Sequence, residues 1–413
     1  MLEKLEYKNN QLFFDNINLN DIAKNFKTPV YIYSKDKIVE NYNLYNDNFK
    51  NLNIKDYLIC YAVKANENLS ILKILAELGS GADTVSAGEI EKAMLAGIKP
   101  EKIVYSGVGK SDEELEYSIA HEIGQINIES KEEFYNIQKI AKKLNKTVNI
   151  SIRINPNIDA GTHEKITTGK KENKFGISLE IAEKIIEEAK KDNLMNFKGL
   201  SVHIGSQILD VNKFELTFKY LLDIYKKHPE FKTIDLGGGL GIQYTTEDKT
   251  PSHEAFATLI KKYFGNLNIK IIIEPGRSII GDAGIFLTKV LYIKETETKK
   301  FVIVDGGMNN LIRPAMYDAY HHPLLVNIES QEKETYDLVG PICESSDTFA
   351  KNIQLNKVKK DNYIAFLSAG AYGRSMSSNY NLHNLAGELL IENNKVKQIR
   401  KEISFKDLLK FEE

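Results

Sequence analysis

Between residues 57 and 277 one pattern recurs eight times: a short apolar, β-branched run ends in small, polar or charged residues, and a helical stretch usually follows. The runs are Tyr57–Lys64, Gly81–Ser86, Lys102–Gly107, Gln125–Ser130, Val148–Pro156, Phe197–Gly205, Lys232–Gly239 and Lys270–Arg277. Near-continuous stretches such as Ile269-Lys270-Ile271-Ile272-Ile273 suit strands covered on both faces, as in a parallel sheet. Ser86-x-x-Glu89, Ser111-x-x-Glu114 and Ser130-x-x-Glu133 each follow such a run and read as capping boxes that start helices. Leu69, Leu72, Leu75 and Leu78 recur every three residues, joined by Ile71 and Ile74, and Gly79 is a natural stop. Eight strands alternating with helices over ~220 residues favour a (β/α)8 barrel, with a doubly wound sheet as the fallback.

After Gly281 the texture changes. Phe286–Lys294 and Lys300–Asp305 read as strands around a charged turn, followed by Tyr336–Val339, Asn362–Ser368 and Leu389–Glu392. The loops between them are rich in Tyr, His and Asn and show no helical alternation, which predicts an antiparallel β-sandwich or barrel domain. Leu5–Tyr7 and Leu12–Phe14 around Asn9-Asn10 read as a hairpin that joins it. The expected organisation is a barrel over 36–281 and a β domain from 1–35 with 282–413.

A chain of 413 residues with 42% hydrophobic content can bury its core without disulfides or metals. The charge balance, 55 basic against 57 acidic residues for a net of −2, leaves no footprint for nucleic acid. The lysines of 165–174 are interrupted by Glu and Gly and read as a solvated loop. Cys60 and Cys343 stand alone, without C-x-x-C or clustered His, so neither a disulfide framework nor a zinc site is expected. Met1–Glu6 lacks the apolar core of a signal peptide, and no stretch approaches the ~18 apolar residues of a spanning helix. A reducing cytoplasm is the expected location, with no membrane partner.

In a barrel the functional face lies at the C-terminal strand ends. Those ends carry Lys64, Asp83, Ser106, His203, Gly237-Gly238-Gly239 and Glu274-x-Gly276-Arg277. Each has a bland explanation when taken singly: a surface lysine, a satisfied core histidine, a plain glycine turn, a structural Glu–Arg pair. Together they place an amine, a phosphate-sized nest, an imidazole, a carboxylate and a guanidinium on one rim, the parts of a pyridoxal phosphate site. An apolar lead-in, Tyr61-Ala62-Val63, carries the Lys64 amine to the mouth, where it can act as a Schiff-base nucleophile. The glycine run lacks the G-K-[ST] ending of a P-loop, so a nucleotide site is disfavoured. Beyond the barrel, Gly340-Pro341-Ile342-Cys343-Glu344 puts a cysteine on a loop, and Ala371-Tyr372-Gly373 presents a tyrosine from a tight turn.

These motifs, in this order, resemble those of the alanine-racemase-fold pyridoxal phosphate decarboxylases, and diaminopimelate decarboxylases most of all. The resemblance runs from about Thr28-Pro29 to about Leu385. It is carried by YAVKAN at Lys64, VHIGSQ at His203, GGGLGI at Gly237, EPGR at Glu274, CES at Cys343 and GAYG at Tyr372. Asp159–His163 with Lys174-Phe175-Gly176, and Arg313-Pro314-Ala315-Met316-Tyr317, add to it. The resemblance implies conversion of meso-2,6-diaminopimelate to L-lysine and carbon dioxide through a cofactor aldimine and a quinonoid. It implies that Lys64 carries the cofactor and His203 stacks on its ring. Asp83, Ser206, Gly238, Gly239, Gly276, Arg277 and Tyr372 complete the cofactor set, with the serine, Gly239 and the Gly276-Arg277 turn on the phosphate. Glu274 faces the pyridine nitrogen and keeps it protonated, which favours decarboxylation over racemisation. Cys343, whose thiol is mostly protonated at neutral pH given an ordinary pKa of about 8.5, returns the proton to the α-carbon.

The distal end of the substrate sets specificity. Arg277 and Arg313 suit a distal carboxylate, since Arg binds carboxylates bidentately, while Glu344 suits a distal ammonium and Tyr317 and Tyr372 line the pocket. The rivals are a fold-related decarboxylase acting on carboxynorspermidine, ornithine or arginine, and a non-catalytic pyridoxal phosphate carrier. The β domain with Cys343 and Tyr372 argues against the carrier. The resemblance also implies a homodimer in which Cys343 and Glu344 of one subunit meet Lys64 of the other.

Overall fold

The computed structural model describes residues 4–158, 173–245 and 247–412. Asp159–His163 and most of the lysine-rich 165–173 segment therefore lie outside the described residues. The chain divides into two compact units, Val39–Gly241 with Lys249–Ser278, and Met1–Ile38 with Ile242–Asp248 and Ile279–Glu413.

The first unit is a closed barrel of eight parallel strands, Tyr57–Ala62, Gly81–Thr84, Ile103–Tyr105, Gln125–Ile128, Val148–Arg153, Met195–Ser201, Thr233–Asp235 and Lys270–Ile273. They follow one another in chain order, and strand eight closes on strand one with Ile271 beside Tyr57 and Ile273 beside Ile59. The expected barrel is therefore what the chain forms. The strands stop short of the ends of their apolar runs because the last residues leave the ladder. Val63–Ala65 turns into a single 3-10 turn, and Gly237 and Gly239 take φ of +64° and +116°, which favours glycine over any residue with a Cβ.

The helices around the barrel begin where the serines stand. Ser86, Ser111 and Ser130 each accept the backbone N–H three residues on, but only Ser111 with Glu114 closes both bonds of a capping box. Glu89 and Glu133 reach one residue further back, to the N–H groups of Val85 and Glu129. Lys131–Leu144 then buries Phe134, Ile137, Ile140 and Ala141 on one face, and Asn145 ends it in the left-handed region. Each fully buried Ile or Phe there stabilises by roughly 1.5–3 kcal/mol relative to exposure. Leu69–Glu77 buries Ile71, Leu72, Ile74 and Leu75, and Gly79 follows at φ +89°.

The second unit is built on one large mixed sheet. Gly284–Glu295 is its long central strand, pairing with Val30–Ser34, Lys300–Val304 and Tyr363–Phe366, all antiparallel. Two pairings are parallel: Lys300–Val304 with Lys333–Val339, and Val30–Ser34 with Gly387–Glu392. The expectation of a purely antiparallel domain is corrected there. A long connection containing the helix Arg313–Tyr317 gives the chain the length a parallel return requires, and Val30–Ser34 enters from before the barrel. Asn9 and Asn10, at φ +49° and +62°, make the two-residue turn of the opening hairpin. That hairpin pairs Leu5–Lys8 with Gln11–Phe14. Its Leu12 and Phe14 join Val30, Ile32, Leu287, Leu389 and Ile391 in the unit's core. No helix among the described residues is long and apolar enough to cross a membrane.

Candidate active site

Five of the barrel's strand ends converge on one another chemically. Lys64, just past strand one, pairs through Nζ with the carboxylate of Asp83, which ends strand two with no exposed surface. The amine thus faces an anion at the barrel mouth. Glu89, on the helix after strand two, feels both Lys64 and Asp83, and burial pushes its carboxyl up to about 7. The unfolded chain ionises a glutamate near ~4.3, so above that pH the fold keeps a proton the unfolded chain has released. The stability this group contributes is present below about pH 4.3 and lost as pH rises through about 7. Glu89→Gln is expected to flatten the decline in Tm of cofactor-free protein over that window; an unchanged slope would show that Glu89 titrates normally.

His203, past strand six, accepts the Gly238 N–H on Nδ1 at 3.2 Å, which leaves Nε2 as the protonated nitrogen. Burial, with Arg153 and Lys64 adding repulsion, holds it well below the usual imidazole range, so the ring is neutral. The triple glycine exists for close approach. A Cβ on Gly237 would overlap the Val202 carbonyl, and one on Gly239 would lie 2.5 Å from the Gly205 carbonyl oxygen. Two of the three N–H groups are used internally, Gly237 on Asp235 Oδ1 at 3.0 Å and Gly238 on His203. The Gly239 N–H meets no acceptor among the described residues and can serve an external anion. Nearby, Arg277 donates from Nε and Nη2 to Ser206 Oγ at 3.3 and 3.0 Å. A Cβ on Gly276 would press on Ala62 and Ala65 at 3.0 Å, so the strand-eight turn is seated against the two residues flanking Val63 and Lys64.

Glu274 is a buried, perturbed acid. Burial first, then repulsion from Asp235 and Asp83, raises its carboxyl well above the ordinary range. Its Oε1 is buried without a hydrogen-bond partner. Ser106, by contrast, faces inward and accepts from Asn127 Nδ2 at 3.0 Å. Sequence reasoning missed three residues here. Arg153 pairs with Glu129 at 2.7 Å and lies 4.8 Å from the Phe175 ring, while Gly176 also donates to Glu129. Asp235 is the third. An arginine and two acids at apolar strand ends were the available signal.

The other unit carries the remaining candidates. Arg313 is buried, donates from Nη1 to Tyr244 Oη at 3.0 Å and to His321 Nε2 at 2.9 Å, and lies 4.9 Å from the Tyr244 ring centroid. His321 Nδ1 lies 2.9 Å from the Leu367 carbonyl, which fixes it as the donor nitrogen. Cys343 and Glu344 are exposed on their loop. Cys343 N–H donates to Asn381, and Glu344 accepts from Tyr380 at 2.6 Å. Asp347, also missed, shapes that loop by accepting the N–H groups of Ile342 and Met308, both at 2.6 Å. Tyr317 is half-buried on the helix Arg313–Tyr317. Tyr372 holds φ +57°, a conformation that non-glycine residues adopt at a cost of order 1–3 kcal/mol.

Residues 35–281 match the family of pyridoxal-dependent decarboxylases over its pyridoxal-binding domain. The chain is 45% identical to diaminopimelate decarboxylase of Aquifex aeolicus, across 96% of this chain and 94% of that protein. Among solved structures it is similar to diaminopimelate decarboxylase of Helicobacter pylori complexed with L-lysine. The TM-score is 0.91 and the identity 43%, covering 96% of this chain and 99% of that one. The M. jannaschii enzyme in complex with L-lysine gives a TM-score of 0.94 at 38% identity, covering 100% and 98%.

Proposed function

This chain belongs to the diaminopimelate decarboxylase family of pyridoxal-dependent enzymes, and we propose that it removes one carboxylate from meso-2,6-diaminopimelate to leave L-lysine. The observation that carries the reading is the buried, unpartnered Oε1 of Glu274, in a mouth that also holds a lysine and a neutral imidazole. An unpaired carboxyl oxygen in that position costs stability unless a donor meets it, and the ring N–H of a pyridinium is such a donor. The rest of the rim fits the same group. Lys64 offers the amine, His203 an uncharged flat ring, and Gly239, Ser206 and Arg277 the donors a phosphate needs. Pyridoxal phosphate, when bound, supplies an electron-poor ring that accepts the pair left by departing carbon dioxide.

The protein's own groups then divide the work. Glu274 holds the proton on the ring nitrogen. Asp83 orients the Lys64 amine, and Gly238 fixes the tautomer of His203. Cys343 delivers a proton to the α-carbon, and Glu344 receives the distal ammonium. Arg277, Arg313, Tyr317 and Tyr372 bound the substrate, with Arg313 held flat by Tyr244 and His321. The barrel, 36–281, binds the cofactor, while 1–35 and 282–413 complete the active site and the interface of a cytoplasmic homodimer.

Carbon dioxide release from holoenzyme offered diaminopimelate, carboxynorspermidine, ornithine, arginine and lysine tests the substrate. Diaminopimelate is expected to be preferred, and turnover of a single-amine substrate at equal efficiency would overturn the reading. Arg313→Ala is expected to raise KM for diaminopimelate, because a buried carboxylate loses a charge-assisted partner worth roughly 2–5 kcal/mol. Activity on lysine-like substrates, where detectable, should not fall in parallel. Equal loss on both would assign Arg313 to the fold alone.

A further inference from the structure

At the end of the barrel opposite Lys64, the strand starts line a cavity of about 340 Å³. Leu58, Val104 and Ile272 give it an apolar surface, and they pack with the buried Cys60. Gln125, Asn149 and Thr233 add polar groups. Four lysines also line it, Lys102, Lys198, Lys232 and Lys270, against two acids, Asp56 and Glu101, both exposed.

The backbone sets three of these lysines side by side on strands six to eight. Lys232 N–H donates to the Lys198 carbonyl at 2.8 Å, and Lys270 N–H to the Lys232 carbonyl at 2.9 Å. Neighbouring strands lie about 4.8 Å apart, and like charges placed next to one another across strands repel. Lys198 enters this row through a bulge. Phe197 pairs with Ile150 and Gly199 with Ser151, so Lys198 is an extra residue that strand five does not match. Backbone contact fixes the bulge, since a Cβ on Gly199 would overlap the Thr233 carbonyl oxygen. The acids answer only part of the charge. Lys270 lies 3.8 Å from Asp56, Glu101 lies 3.9 Å from Lys99, and Lys102 donates to the Gly79 carbonyl at 2.9 Å. Lys198 and Lys232 meet no carboxylate among the described residues. Burial, then repulsion from Lys232 and Lys270, lowers the Lys198 amine below the usual lysine range.

We propose that this cavity binds a small multivalent anion, a phosphate or polycarboxylate species whose oxygens bridge the amines of Lys198 and Lys232. Each ammonium brings three donors and one charge, so the pair matches a ligand with at least two negative charges. A cavity of this volume holds one compact molecule, which excludes a polymer. Surface lysines kept for solubility would be spread apart. Here a bulge brings a third cation into a row of like charges, and a bound anion removes the repulsion that the bulge creates.

Calorimetric titration of the full-length protein with pyrophosphate, at an ionic strength of about 0.15 M, tests the site. The wild type should bind with a Kd of about 1 mM or tighter, and Lys198→Gln/Lys232→Gln should weaken binding at least about tenfold. Lys143→Gln removes an exposed charge from an outer helix and should leave binding unchanged; an equal loss there would make the effect one of net charge and overturn the site. Citrate in a parallel titration identifies the ligand chemistry. Tighter binding of pyrophosphate assigns phosphate, and tighter binding of citrate assigns carboxylates. Failure of both to bind, or equal binding by the wild type and the double variant, also overturns the proposal. Should the double variant not fold, acetylation of Lys198 and Lys232 in the wild type, read by peptide mass spectrometry, decides. A bound anion holds the amines protonated and should slow their labelling severalfold, and unslowed labelling refutes the site. The titrations are run with and without pyridoxal phosphate. Only the difference between the wild type and the double variant reports this cavity, so a failure of the cofactor reading leaves the result intact.

Discussion

Lys64→Ala is expected to abolish turnover and, with it, the yellow absorbance band that borohydride bleaches in the purified protein. The size of the effect follows from covalency. Lys64 would hold the cofactor covalently between turnovers, and the cofactor would supply a carbon activated for exchange with the substrate amine. Stability enters as well, because the alanine leaves the fully buried Asp83 carboxylate without its ion-pair partner. Lys64→Arg separates the two effects. A guanidinium keeps the charge opposite Asp83 but is no nucleophile, so the arginine variant should recover thermal stability while staying colourless and inactive. A Lys64→Ala protein that turned over with its band intact would remove Lys64 from the chemistry altogether.

The residues that the sequence exposed and those it hid differ in one physical respect. Lys64, His203 and Glu274 were legible because each interrupts or ends a long apolar run, and the alternation of such runs with capped helices already specified a barrel whose strand ends matter. Asp235 interrupts such a run too, in Ile234-Asp235-Leu236, but its meaning lies in partners far away: Gln125 and Asn127 are 110 and 108 residues distant. The same holds for Arg313 with Tyr244, 69 residues away. Long-range polar pairing leaves no periodic trace. In the β unit, Thr348–Asn356 and Lys395–Arg400 escaped because both are outer strands whose apolar residues are interrupted by exposed lysine or amide side chains, Lys351, Asn352 and Gln354 in one and Lys395, Lys397 and Gln398 in the other. An edge strand needs no apolar face on both sides, and its charges discourage further pairing. Asp347 was hidden for a third reason. It works through backbone N–H groups, which every sequence has.

The proposed dimer makes a prediction whose magnitude is fixed by counting. Cys343 and Glu344 lie exposed in the single chain, on a loop held in shape by Asp347. A thiol that protonates a reacting carbon has to be screened from bulk water, and a loop inserted into a neighbour's site would gain that screening. In a two-fold dimer each subunit then lends its loop to the other, so both sites are composite. Lys64→Ala and Cys343→Ala are each expected to be inactive alone. After dissociation and random reassociation, about half the dimers are mixed. Each mixed dimer holds one site with both defects and one with none, so activity should return to about a quarter of wild type. Were both residues of a site drawn from one chain, every site would keep a defect and mixing would restore nothing. Subunit exchange confirmed by an independent label, with no recovered activity, would therefore refute the shared site and leave the decarboxylase assignment standing.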